Sequence, residues 1–103
     1  MARFLVTYHG PGMPHDPASI ATARDAFLAW AAKTGAPLVD PGSPIAGTLT
    51  LTPAGLVDGP GEGPVLGWSV IEADTPEAVA RLIEDHPFVT RGGSLQINKP
   101  PAA

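Results

Sequence analysis

Residues 65–73, VLGWSVIEA, restrict what this chain can fold into more than any other segment. At strand spacing, Leu66, Trp68 and Val70 share one face and Gly67, Ser69 and Ile71 the other. A strand with one wet face alternates apolar and charged residues, whereas this one is largely apolar on both, which predicts cover on each side. Directly after it, Thr75-Pro76-Glu77 has the form of a helix start. Thr supplies a capping hydroxyl, Pro lacks an N–H where none is needed, and the acid meets the positive end of the helix dipole. Val79, Leu82 and Ile83 form the inward stripe of that helix. Pro87 then stops it, and residues 94–98 read as a closing strand with Leu95 and Ile97 on one face.

Upstream, residues 3–8 alternate Phe4, Val6 and Tyr8 against Arg3, Leu5 and Thr7, the pattern of a half-buried strand. A loop follows to Asp16-Pro17, a capping residue plus a first-turn proline. From there Ile20, Ala23, Phe27, Trp30 and Ala31 recur at helical spacing until Gly35, a C-cap. A short strand is expected at 37–39, a Pro/Gly turn at 41–44, and a strand at 48–52 (TLTLT) with Leu56 and Val57 pairing back on it. The 13 prolines and 12 glycines cluster at 10–17, 35–47, 53–64 and 92–101, between the periodic segments. They therefore punctuate an ordered chain. Two helices among strands predict a single α+β domain over 1–99, with helices on one side of a sheet and a frayed tail at 100–103.

Composition narrows the function classes. The net charge is −4, and the six basic residues (Arg3, Arg24, Lys33, Arg81, Arg91, Lys99) are scattered. No nucleic-acid partner is expected, because phosphate binding needs clustered bases. Zero cysteines exclude disulfides and thiolate metal sites. The apolar runs are too short to cross a bilayer and the first residues lack a signal-peptide cleavage pattern, so the expectation is a cytoplasmic protein with no membrane contact.

The order Asp58-Gly59-Pro60, Leu66-Gly67-Trp68, Glu72, Thr75-Pro76-Glu77-Ala78 and His86-Pro87-Phe88 resembles the YCII-related superfamily in its DGPF-type branch. The resemblance covers 55–99 and extends loosely to the first strand and helix. It implies a ferredoxin-like βαββαβ sandwich that dimerises into an α+β barrel. Two departures stand out. Gly61 occupies the fourth position of the Asp-Gly-Pro-Phe motif. The family's acid–base dyad, a His in the first helix and an Asp before Pro-Phe, falls here on Arg24 and His86, so it is absent in that form.

His86 is the candidate catalytic residue: at the sheet-facing end of a helix, an imidazole suits general acid–base work. It equally suits a structural role at a helix C-terminus. Tyr8, His9, Asp58 and Trp68 are candidate substrate-binding residues. Tyr8 and Trp68 would wall a cavity between sheet and helices, and His9 sits on a loop at a strand end. Asp58 before Gly-Pro also fits plain turn chemistry, and Trp68 fits core or interface packing. His9, His15 and His86 match no ligand spacing, so no metal or cofactor is expected. Two functions remain open. One is a cofactor-free lyase, isomerase or dehalogenase-type enzyme on a small organic substrate, which the resemblance implies; the other is a non-catalytic binding or accessory module. Both include a homodimer packed sheet to sheet, since two helices cover only one face and two-fold symmetry is the commonest way to cover the other.

Overall fold

In the computed structural model, which describes residues 1–10, 16–61 and 63–101, the element order follows the local signals closely. The first strand, β1 (Ala2–His9), leads into helix α1 (Pro17–Thr34), whose N-cap Asp16 accepts the Ser19 N–H at 2.9 Å. Gly35 closes that helix at φ +70°, a left-handed conformation that a side chain would resist. Strand β2 (Leu38–Pro44), the hairpin β3 (Leu49–Thr52) and β4 (Gly55–Asp58), and strand β5 (Gly67–Ala73) follow. Helix α2 (Pro76–Ile83) starts at the expected cap, Thr75, whose hydroxyl accepts the Ala78 N–H. A short helix α3 (Pro87–Thr90) and strand β6 (Ser94–Asn98) complete the chain.

The main sheet has the order β2-β5-β1-β6, antiparallel throughout, and is compatible with a ferredoxin-like α+β fold. Phe4, Val6 and Tyr8 of β1, with Ile71 and Ala73 of β5, face the helices and pack against Trp30, Val79, Ile83 and Phe88. Residues paired across β1 and β5 on the opposite face include Leu5 with Val70, Thr7 with Trp68, and Arg3 with Glu72. Among the described residues no helix covers this face, and Leu5 is 45% exposed. The cover predicted for both faces of β5 is thus present on one within a single chain. Among the described residues, no helix is long and apolar enough to cross a membrane.

Two local expectations are corrected. Residues 41–44 are strand, not a turn: β2 runs through both prolines with two register shifts against β5. An edge strand tolerates proline at bulges, where no ladder N–H is required. Gly42 makes the bulge possible at φ +71°, its N–H held by the Asp40 carboxylate at 2.8 Å, and a Cβ there would collide with the Trp68 carbonyl. Nor does Pro87 merely end a helix. It opens a third one, α3, in the first-turn position where proline is favoured.

Candidate functional site

Proline at 87 shapes its predecessor. The residue before a proline is driven out of the helical region, and His86 is extended at φ −58°, ψ 133°. That turn carries the imidazole onto the first turn of α3, where its Nδ1 accepts the Phe88 N–H at 3.0 Å. The ring is 2% exposed and packs among Trp30, Tyr8 and Phe27, with ring-centroid separations of 4.3, 5.1 and 5.7 Å.

Alternation along β1 places Tyr8 on the same helix-covered side, with its hydroxyl 2.9 Å from His86 Nε2 and 2.8 Å from Ser69 Oγ. The Ser69 hydroxyl donates to the Pro41 carbonyl at 2.8 Å. Both ends of this chain fix its protons. Nδ1 is occupied as an acceptor, so the neutral ring carries its proton on Nε2 and donates it to Tyr8. Ser69 has committed its only proton to Pro41, so Tyr8 donates to Ser69. Burial pulls the His86 imidazole down to about 4, the positive Arg91 acts in the same direction, and Asp85 opposes them. Burial likewise raises the Tyr8 phenol above its ordinary range. A second proton on His86 would have to sit on Nδ1, where an N–H already points.

A cavity of about 280 Å³ opens between this cluster, α1 and the bulged β2. Ile20, Ala23 and Phe27 wall it from α1, Pro41 to Pro44 from the bulge, and His86 to Phe88 from α3. Of the residues expected from sequence, Tyr8, Trp68 and His86 border it. Trp68 does so where its carbonyl and indole meet the Gly42 bulge; with its register partner Thr7 it lies on the sheet face away from the helices, not between sheet and helices as expected. His9 and Asp58 stand apart. The His9 Nδ1–H donates to the Pro64 carbonyl and its Nε2 bonds Thr7 Oγ1, both at 2.8 Å. Asp58 is exposed at the end of β4, paired with Leu49 in the separate hairpin. His15 lies outside the described residues, among which no group of three His, Asp or Glu could hold a metal ion.

Several residues of the cavity wall and of the hydrogen-bond chain behind it went unrecognised from sequence. Ser69 passed as a small residue of a two-faced strand, and Phe27 as core. Arg24 was marked only as the place of the family's helix histidine, although it lies three residues before Phe27 and so on the same helical face. Arg91 gave no signal. These two arginines are the only charged residues among the described lining. The ion pairs among the described residues are Arg3–Glu72 and Lys33–Asp85, and neither arginine enters one. A comparison with protein-family models and with curated proteins finds no match to this chain.

Proposed function

We propose that this chain is a small-molecule-binding protein of the YCII-related superfamily, in its DGPF-type branch, in which His86 shapes the pocket and does not exchange protons with the ligand. The supporting observation is the closed hydrogen-bond chain from the Phe88 N–H through His86, Tyr8 and Ser69 to the Pro41 carbonyl. Every polar atom of the wall in that chain is already paired, so the cavity offers apolar contact and shape. At about 280 Å³ it lies just below the usual range of ligand pockets and suits small ligands. A thermal-shift panel of one-ring alcohols, ketones and acids tests this. A ligand at ten times its Kd should raise Tm by roughly 5–10 °C. Ala23→Phe, which fills the cavity from α1, should abolish the shift. A panel that moves Tm nowhere, or moves it equally in Ala23→Phe, defeats the proposal.

The enzymatic alternative has one observation in its favour, the position of His86 and Tyr8 at the cavity wall. It requires turnover of a bound ligand that His86→Gln abolishes while binding persists.

The same reading includes a homodimer forming an α+β barrel. The uncovered face of the main sheet presents Leu5, Val70 and Trp68 at its middle, and apolar surface left in water costs about 25 cal/mol per Å². Light scattering should give twice the 10.5 kDa of one chain, with an interface above about 1,000 Å². Val70→Glu should return it to the monomer mass.

A further inference from the structure

The cavity's charge pattern goes beyond its shape. Arg24 approaches from α1 and Arg91 from the residue that caps α3, and no acid among the described residues lines the space between. Both guanidinium groups are exposed at the rim, while Phe27, Tyr8 and Phe88 lie deeper as aromatic wall. Two cations thus border one apolar cleft, in a chain with a net charge of −4 and only six basic residues. Acids are abundant enough to have neutralised the pair, yet among the described residues neither arginine is in an ion pair.

Resting on the pocket reading above, we propose that the ligand is an organic carboxylate with a one-ring or similarly compact apolar body, its carboxylate held between Arg24 and Arg91. Guanidinium presents paired donors that match the two oxygens of a carboxylate, and charge-assisted hydrogen bonds of this kind are about twice as strong as neutral ones. The ring enters the aromatic cleft and the carboxylate stays at the rim, where it remains partly hydrated. His86 suits that arrangement. As a neutral donor already committed to Tyr8 it contributes no charge inside the cavity.

Matched probes separate this inference from the pocket itself. Calorimetry with 3-phenylpropionate and 3-phenylpropan-1-ol, and with the corresponding benzyl and cyclohexyl acid–alcohol pairs, compares one body with and without the charge. The acids should bind about tenfold more tightly than their alcohols. Arg24→Gln and Arg91→Gln should each remove most of that preference and leave alcohol affinity within about twofold. Both side chains are exposed, so the variants should keep the native Tm. The acid preference should also shrink as salt is raised from 20 to 500 mM. Acids and alcohols that bind equally, or a preference that survives both variants, overturn the carboxylate assignment and leave the pocket standing. Failure of every acid and every alcohol overturns both.

Discussion

Strand β5 and the hairpin β3–β4 are built from the same kind of sequence and end in opposite surroundings. In β5, Gly67, Ser69, Ile71 and Ala73 are all buried, with Ile71 wholly inaccessible. In the hairpin, Leu51 faces Leu56 across the ladder, and the two are 79% and 65% exposed. Both segments alternate as strands should. Only β5 has helices laid over it, because α2 follows it immediately and packs back on the sheet. Alternation therefore announces a strand; burial depends on whether a second layer arrives. A lone two-stranded hairpin is marginal in water, and this one adds side-chain bonds, with the Thr50 hydroxyl donating to the Gly59 carbonyl and that of Thr52 to the Gly55 carbonyl.

The sharpest test of the contrast is a matched pair of truncations. Ile71→Ala should lose about 2–5 kcal/mol by urea unfolding, because it opens a cavity in a filled core. Next in size is Tyr8→Phe, which leaves the His86 Nε2–H without its acceptor and Ser69 without its donor at an unchanged shape. A cost of about 1–3 kcal/mol is expected; a neutral result would mean that water replaces the phenol and that the cluster is wetter than β5 as a whole. The third test is pH. His86 is held down to about 4 in the fold against 6.5 unfolded, so between those values only the unfolded chain takes up the proton. Stability is therefore complete above about 6.5, falls as pH drops through the window, and levels off below about 4. From pH 7 to 5 the His86 contribution should cost at most about 2 kcal/mol, read as the difference between the parent and His86→Gln. A parallel pH slope in the two would place His86 in a wet site. Smallest is Leu51→Ala, expected within about 0.5 kcal/mol. A loss well above 1 kcal/mol would mean that the hairpin leucines are covered in the assembled protein, and the contrast with β5 would disappear.

Much of the fold was legible because its signals are local. Asp16-Pro17, Gly35 and Thr75-Pro76 each mark a helix boundary through their own backbone chemistry, and the structure uses all three. The third helix and the bulged β2 were missed for the opposite reason. Proline both stops and starts helices, and its strand role depends on which neighbour, if any, needs the N–H. The site was half legible. Tyr8, Trp68 and His86 were found as polar-tipped residues on apolar elements, but Ser69 and Arg91 acquire meaning only from partners 61 residues away, in the case of Tyr8 with Ser69, or across a cavity. Ile20 shows the limit of periodicity from the other side: it holds its place in the α1 stripe, yet lines the cavity at 43% exposure and not the core.

The position of β1 in the sheet has a consequence for how the protein is made. Its two edges are filled by β5 and β6, both encoded past the middle of the sequence. During synthesis, β1 leaves the ribosome with neither neighbour in existence and waits while about 90 further residues are added, roughly 4–18 s at ordinary elongation rates. Until β5 is made Phe4, Val6 and Tyr8 lack a neighbouring strand, and until β6 is made one row of β1 N–H and C=O groups stays open to any passing chain. A segment made early is thus enclosed late, and completion of β6 is the event that closes the second edge of β1.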